Sequence, residues 1–141
     1  MRLDPNLPVI PLRVVLGGPS GEIEVEMALD TGATYAMVPW DISQKLGYDP
    51  AVSRERAKLV TASTTEIAPL ITLDYMEVLG VRIPGIQVAC HDLPPTSKVQ
   101  GLLGLSYLKN CNLSLRYKDS QLELEDCWNL TAGPMKEEGL T

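Results

Sequence analysis

The most constraining feature of this sequence is the segment 22–29, in which apolar side chains occupy every second position. The apolar members are Ile23, Val25, Met27 and Leu29, and the intervening members are Glu22, Glu24, Glu26 and Ala28. A period of two places successive side chains on opposite faces of a β-strand, so one face is buried and the other is wet. We therefore predict one strand of an antiparallel hairpin. It leads directly into Asp30, Thr31, Gly32 and Ala33.

Further segments with the composition of strands lie on both sides of this one. They cover residues 9–16, 35–38, 57–61, 66–73, 76–79, 83–89, 112–117 and 121–125. Two short helices are predicted, one from an N-cap at Asp41 to a stop at Gly47 and one over 106–109. Phe is absent and the chain contains 11 Gly and 11 Pro. We therefore expect an aliphatic core and short strands.

Many short strands with one or two short helices are typical of an all-β, barrel-like domain. The 141 residues of the chain suit one ordinary domain, and its 45% hydrophobic residues suffice for a core. We predict an N-terminal extension over 1–8, one domain over 9–127 and a loosely ordered C-terminal tail over 128–141.

The net charge limits the expected binding partners, and the cysteines indicate the redox compartment. The formal net charge is −6, and a chain this acidic repels phosphate backbones, so we expect no nucleic acid partner. Cys90, Cys111 and Cys127 are odd in number and lack CxxC spacing. This pattern favours free thiols in a reducing compartment over disulfides or a zinc site. We expect no metal ion and no cofactor.

The first eight residues have neither the charge nor the apolar run of a signal peptide. No apolar run approaches the roughly 20 residues needed to span a bilayer, so we expect no membrane segment in this chain. These features predict a soluble, cytoplasmic protein. They leave open that the chain is excised from a longer, anchored protein.

Asp30 is the main candidate for chemistry, and its local pattern has two interpretations. Gly32 permits a sharp turn and a close backbone approach. An aspartate in an Asp-x-Gly turn is often structural, because its carboxylate accepts hydrogen bonds from nearby backbone N–H groups. Chance gives an Asp-Thr-Gly tripeptide in a chain this long with odds on the order of a few per cent. The tripeptide alone is therefore suggestive and no more.

The order of features around Asp30 favours the catalytic interpretation. A short apolar strand, a helix ending at Lys45-Leu46-Gly47 and a polar-tipped hairpin follow it in turn. The apolar pair and glycine of Leu102-Leu103-Gly104, ending 74 residues after Asp30, then open a helical turn. Over about residues 12–125 the chain resembles the retropepsin-like aspartic proteases, single-domain relatives of retroviral proteases that also occur in bacteria. The resemblance implies the acid-protease β-barrel.

The resemblance implies a role for each residue of the loop. Asp30 is the expected catalytic carboxylate. Thr31 is expected to hydrogen-bond across the axis of a dimer and to lock two such loops together. Gly32 and Ala33 are expected to line the floor beneath a peptide substrate.

Two other segments acquire roles from the same resemblance. Leu102, Leu103 and Gly104 are expected to pass beneath the catalytic loop and hold it rigid. The last hairpin, over 112–125, is expected to contribute to the dimer interface.

The hairpin tip after residue 61 is expected to be the flap that closes over a bound peptide. The expected flap residues are Ala62, Ser63 and Thr64. Flap tips in this family are usually rich in glycine, whereas no glycine lies between Gly47 and Gly80 here. Because Ala, Ser and Thr restrict φ, a stiffer flap or a displaced tip is expected.

The chemistry implied by the resemblance needs two carboxylates. Without a metal, peptide hydrolysis needs one group that takes a proton from water and another that gives one to the substrate. In aspartic proteases, the established example, two carboxylates about 3 Å apart share one proton and divide these tasks. This chain has a single Asp-Thr-Gly and is too short for two such lobes. The second carboxylate has to come from a second copy, in a homodimer with twofold symmetry.

Two hypotheses of different classes follow. The first is an aspartic endopeptidase that cleaves peptides or proteins with water activated by the aspartate pair of a homodimer. The second keeps the fold and the dimer but drops catalysis, giving a peptide-binding or scaffold module. The altered flap favours the second hypothesis, and the intact Asp30, Thr31 and Gly32 favour the first.

Other residues are weaker candidates. His91 is the single histidine, and the sequence contains no G-x-S-x-G motif to supply a serine nucleophile. A serine-hydrolase triad is therefore not supported. Gly17 and Gly18 are not followed by the lysine and helix of a phosphate-binding loop. Trp40 and Trp128 are interpreted as packing residues.

Overall fold

The computed structural model describes residues 1–60 and 63–126. The alternating segment forms strand β2, Gly21–Leu29, which pairs antiparallel with β1, Pro11–Gly18. The three glutamates of β2 are exposed, whereas Met27 on the opposite face is fully buried. The predicted division into a wet and a buried face is confirmed for the glutamates and Met27, whereas Ala28, predicted on the wet face, is buried.

The other elements follow in chain order. The strands are β3, Ala36–Val38, β4, Arg56–Val60, β5, Thr65–Val78, β6, Val81–Cys90, β7, Gly101–Leu103, β8, Cys111–Arg116, and β9, Gln121–Asp126. The α-helices are α1, Trp40–Lys45, and α2, Leu105–Leu108, and a 3-10 turn covers Pro50–Val52.

Six strands close into a barrel in the order β1-β2-β7-β3-β6-β5, because β5 pairs with β1 as well as with β6. Strand β4 lies outside this ring and pairs with β5. Strands β8 and β9 form a separate two-stranded sheet. The prediction of an all-β barrel with one or two short helices is confirmed.

The barrel interior is mainly aliphatic, as the absence of Phe requires. The largest fully buried side chains include Leu16, Met27, Leu73, Leu103 and Tyr107. Burying one such leucine contributes about 1.5–3 kcal/mol. The hydroxyl group of Tyr107 donates to the carbonyl oxygen of Val81 at 2.5 Å, so this buried ring has a partner for its polar tip.

The two strands predicted over 66–73 and 76–79 are one strand, β5, and the predicted interruption between them was wrong. Pairing of β5 with β6 continues on both sides of the polar Asp74, and pairing with β1 begins directly after it, at Tyr75. Asp74 is exposed, and its backbone N–H donates to the hydroxyl oxygen of Tyr48 at 2.8 Å. A polar residue here therefore leaves the strand intact.

Helix α1 begins at Trp40, two residues earlier than an N-cap at Asp41 allows, so that prediction was wrong. Pro39 is the N-cap, with φ −62°, and Asp41 lies in the first turn, where its charge favours the helix dipole. Gly47 follows the helix with φ +100°, a conformation that glycine adopts without strain. The predicted stop at Gly47 is confirmed.

The N-terminal residues run beside β9. The backbone N–H of Leu3 donates to the carbonyl oxygen of Ser120 at 2.8 Å, and Leu3 is buried. The predicted boundaries of the extension, the domain and the tail stay predictions. Ala62, Cys127 and Trp128 lie outside the described residues. Within the described part, no helix is long and apolar enough to cross a membrane.

Candidate active site

Asp30 is the first residue after β2, and backbone hydrogen bonds fix its position. Its N–H donates to the carbonyl oxygen of Leu103 at 3.0 Å, and its own carbonyl oxygen accepts from the N–H of Ala33 at 3.2 Å. The carboxylate oxygen Oδ1 accepts from the N–H of Gly32 at 3.0 Å. Asp30 thus accepts the hydrogen bond typical of a structural aspartate in a turn, and this bond involves Oδ1 alone.

Strand β7 runs beneath this loop between the two strands that flank it. It pairs in parallel with β2, where Leu29 lies opposite Leu103, and antiparallel with β3, where Met37 lies opposite Leu102. Leu103 is fully buried in the barrel, whereas Leu102 is half-buried and faces the other way, towards a cleft at Asp30. The predicted support segment therefore lies directly against the loop.

Gly104 is needed because the loop backbone passes very close to it. A Cβ atom at this position would lie 2.7 Å from the carbonyl oxygens of both Ala33 and Tyr35. Its φ is −106°, so the need for glycine comes from close packing and not from an unusual backbone conformation. The next residue, Leu105, donates its N–H to the carbonyl oxygen of Ala33 at 2.8 Å.

Ser106 is a further residue that holds the loop, and sequence reasoning missed it. Its hydroxyl oxygen accepts from the backbone N–H of Ala36 at 2.9 Å. This bond joins α2 to the end of the loop, where β3 begins. The available signal was a hydroxyl side chain in an otherwise apolar helical turn, but its partner is 70 residues away and no local pattern identifies it.

The Asp30 loop forms one wall of a cleft of about 360 Å³. Loop residues 30 and 32–35 line it, together with Met37 and Leu102. The facing wall is residues 58–60 of β4, which sequence reasoning did not assign to the site. Asp30 is thus half-buried, in a cleft between the loop and the β4–β5 hairpin.

The expected site residues do not all face this cleft. Thr31 is exposed and is not part of the cleft lining. Ser63 and Thr64 are exposed beyond the end of β4, and the cleft lining on that side consists of β4 residues. The third expected flap residue, Ala62, lies outside the described residues.

A small apolar cluster connects the base of the hairpin to the loop. Its buried members are Ala57, Ala68, Leu70 and Ala89, and Tyr35 and Leu59 pack against them. Because Tyr35 and Leu59 also line the cleft, hairpin and loop share a contact at the site.

A contact between His91, which follows β6, and Glu66 of β5 also attaches the hairpin to the barrel. His91 Nε2 lies 2.7 Å from Glu66 Oε1 on β5, and its Nδ1 lies 2.9 Å from the carbonyl oxygen of Asp92. Both ring nitrogens therefore face acceptors and not a serine hydroxyl group, as a hydrolase triad would need.

The other residues considered from the sequence, Trp40 and the cysteines, lie in surroundings that suit a structural role. Trp40 is half-buried and packs against the main core. Cys90 is buried, and this burial raises the pKa of its thiol. Among the described residues, no three His, Cys, Asp or Glu side chains come together as a metal site.

Comparisons with known proteins match the part of the chain that contains these features. The family model described as aspartyl protease matches residues 12–107, a stretch that contains Asp30 and Gly104. No curated protein sequence matches the chain significantly.

Two solved structures share the fold. A retropepsin-like aspartic protease from Rickettsia conorii is similar with a TM-score of 0.57 and 24% identity, over 82% of this chain and 88% of that one. The retroviral protease-like domain of Ddi1 from Leishmania major gives a TM-score of 0.54 and 15% identity, over 84% of this chain and 90% of that one. The predicted resemblance in fold is confirmed. Because the family model covers more than half of the sequence, the chain belongs to the aspartyl protease family.

Proposed function

We propose that this protein is an aspartic endopeptidase whose active site forms between two copies of the chain, each supplying one Asp30. The observation that carries the proposal is the position of Asp30, held by the support segment at the floor of a cleft beneath the β4–β5 hairpin. A side chain held by backbone bonds on a rigid element keeps the geometry that catalysis needs.

The chemistry follows from the shared proton. One carboxylate takes a proton from a water molecule as the water oxygen bonds to the peptide carbonyl carbon, and the other gives its proton to the carbonyl oxygen. The resulting diol collapses when the C–N bond breaks. A carboxyl proton then passes to the leaving nitrogen, while a hydroxyl group of the diol returns a proton to the pair. The carboxyl groups end in their starting state.

The hydrogen bonding of Asp30 suits this role. The Gly32 N–H fixes Oδ1, and Oδ2 has no partner among the residues that the structure describes. Oδ2 is therefore available to a water molecule or to the second carboxylate. Thr31 and Gly32 are exposed in the single chain, which is consistent with a surface that a second copy covers.

The hairpin supports a peptide substrate. Among the strands that the structure describes, β4 pairs with β5 alone, so its outer edge retains backbone groups that an extended peptide can pair with. We assign the β4–β5 hairpin as the flap of the proposed enzyme. Side chains of a bound strand would enter the cleft alternately, against Met37, Leu59 and Leu102.

Cleavage of a mixed peptide library tests the proposal. Asp30→Asn is expected to reduce the cleavage rate by at least about 10²- to 10⁴-fold, because both copies in the homodimer carry the substitution and both carboxyl groups of the pair are lost. Asp49→Asn removes the same charge at an exposed position and is expected to leave the rate unchanged. A transition-state-mimic inhibitor of aspartic proteases is expected to block the wild type. Cleavage that survives Asp30→Asn refutes the catalytic role.

The dimer has its own test. Below the dissociation constant of the dimer, specific activity is expected to fall on dilution, and a mass measurement at the same concentrations is expected to show the monomer. Full activity in a monomeric preparation refutes the shared pair.

The alternative function is an inactive, dimeric peptide-binding or scaffold module. The glycine-free hairpin between Gly47 and Gly80 is the observation that favours it. In that case the wild type binds peptides in the cleft and cleaves none. The cytoplasmic location also stays a prediction, and targeting experiments with the full chain test it.

A further inference from the structure

A second depression, of about 460 Å³, adjoins the Asp30 cleft. It is lined by residues 84–87 of β6 and by Ser106, Lys109 and Asn110 of the α2 region. Thr34 and Tyr35 of the loop line both depressions. A ligand that lies along the cleft can therefore continue past these two residues into the second depression without crossing other parts of the surface.

The charges along this path differ from those of the whole chain. The chain carries 18 acidic and 12 basic residues. Within the described part of the chain, the charged residues that line the two depressions are Asp30, Lys58 and Lys109, with Lys109 in the second one. The path therefore has two cations and one anion, and the anion is the proposed catalytic group.

The two lysines are available to a ligand. Neither forms an ion pair among the residues that the structure describes, whereas Arg13, Arg82 and Arg116 do. Lys58 and Lys109 are both exposed. A lysine ammonium group without a carboxylate partner can bind one from a ligand without first breaking an existing pair.

The two amide side chains that line the second depression, Asn110 and Gln87, have partners within the chain. Asn110 Nδ2 donates to the carbonyl oxygens of Ser106 and Tyr107, at 3.3 and 3.1 Å. Gln87 Nε2 donates to Glu55 Oε1 at 3.3 Å, and Glu55 is not part of the lining. Among the described residues Lys109 is the charged side chain of this depression, so it is the group that would favour an anionic ligand over a neutral one.

We propose that this second depression is an outer subsite for an acidic side chain of the peptide substrate, with Lys109 as the specificity-determining residue. Lys58 adds positive charge nearer to the scissile bond. The preferred substrate is then a peptide with apolar residues around the cleaved bond and an aspartate or glutamate at one position further along. This inference rests on the proposed function, since it names the substrate of the same site.

Binding to the full-length Asp30→Asn protein separates the subsite from catalysis. The probes are fluorescent ten-residue peptides with a central Leu-Leu, in which one position at a time carries Glu or its neutral isostere Gln. Fluorescence anisotropy measures the dissociation constant of each peptide. At one position outside the central pair, Glu is expected to bind about two- to fivefold more tightly than Gln, the size of an exposed ion pair.

Lysine variants in the Asp30→Asn background identify the group responsible. Lys109→Met is expected to abolish the difference between Glu and Gln at that position, and Lys109→Glu to reverse it. Lys45→Met, at an exposed lysine in the last turn of α1, is the matched control and is expected to preserve the difference. High salt is expected to reduce the difference, because exposed charges are screened.

The outcomes distinguish this inference from the proposed function. Equal binding of Glu and Gln peptides at every position, an unchanged preference in Lys109→Met and Lys109→Glu, or no peptide binding at all overturns the subsite. Cleavage by the wild type is measured separately on the same peptides. A preference that depends on Lys109 without any cleavage supports the subsite and refutes the protease. Cleavage without a preference supports the protease and overturns the subsite.

Discussion

The Asp30 loop and the β4–β5 hairpin form opposite walls of one cleft, but they are held in different ways. The loop is tied by backbone hydrogen bonds from Asp30 to Leu103 and from Leu105 to Ala33, and Gly104 packs directly against its backbone. The hairpin projects beyond the barrel, with Val60 75% and Ile67 67% exposed. The loop wall is packed against the barrel, whereas the hairpin wall projects from it.

This difference corresponds to two different requirements of the proposed reaction. A catalytic carboxylate has to stay within a fraction of an ångström of its working geometry, so it belongs on a rigid element. A flap has to open for substrate and product, so it belongs to a part of low local stability. We expect substitutions in the loop to affect global stability, and substitutions in the hairpin to affect local opening.

The largest effect is expected from Gly104→Ala. The added Cβ would lie 2.7 Å from two backbone oxygens, which cannot move aside as a flexible side chain does. Overpacking of this kind costs about 1–3 kcal/mol and occasionally more, so the melting temperature is expected to fall by several degrees and activity to be lost. Thermal denaturation followed by circular dichroism measures the change.

Gly80→Ala is the comparison for this variant. Gly80 has φ +83°, and a Cβ atom added there would meet no atom within 4 Å, so its substitution causes backbone strain of about 1–2 kcal/mol without a clash. Catalytic activity is expected to survive in Gly80→Ala. If Gly104→Ala remains fully active and as stable as Gly80→Ala, close packing at position 104 does not keep the Asp30 loop rigid.

A smaller loss of stability is expected from Ser106→Ala. The substitution leaves the N–H of Ala36 without its acceptor, and losing a hydrogen bond in a partly buried site costs about 1 kcal/mol. Urea unfolding measures the change, and hydrogen exchange at the Ala36 amide is expected to become faster. Ser106→Thr keeps the hydroxyl group and serves as the control. Equal stability of the Ala and Thr variants would contradict the assigned role.

Glu66→Gln weakens the attachment of the hairpin. The contact with His91 is partly exposed, with side-chain exposures of 31% for His91 and 49% for Glu66, so its loss is expected to cost less than about 1 kcal/mol of global stability. Hydrogen exchange is expected to become faster in β4 and the first part of β5, while the amides of Asp30 and Leu105 stay protected. Exchange that accelerates equally in loop and hairpin would remove the distinction between them.

The sequence allowed the loop to be predicted much better than the facing wall. The alternation in β2 and the turn at Gly32 are local patterns with local causes, and each could be identified from neighbouring residues. The role of Gly104 was implied by the family resemblance, because its cause, the close approach of the Ala33 and Tyr35 oxygens, is distant in the sequence. The lining by β4 and the bond from Ser106 to Ala36 depend on how distant segments pack. The continuity of β5 through Asp74 likewise depends on strands paired on both sides, which no local pattern records.

The smallest effect on stability is expected from Ser63→Gly. Ser63 is exposed at the hairpin tip, so it makes little contribution to packing, and the change acts mainly through the entropy of the chain. We expect a loss of a few tenths of a kcal/mol in global stability, and faster hydrogen exchange confined to the hairpin. Ser63→Ala, which leaves φ restricted, is the matched control. If the glycine-free tip limits opening, Ser63→Gly raises the rate of peptide cleavage and Ser63→Ala does not. A slower rate in Ser63→Gly would mean that a stiff tip aids closure over the substrate.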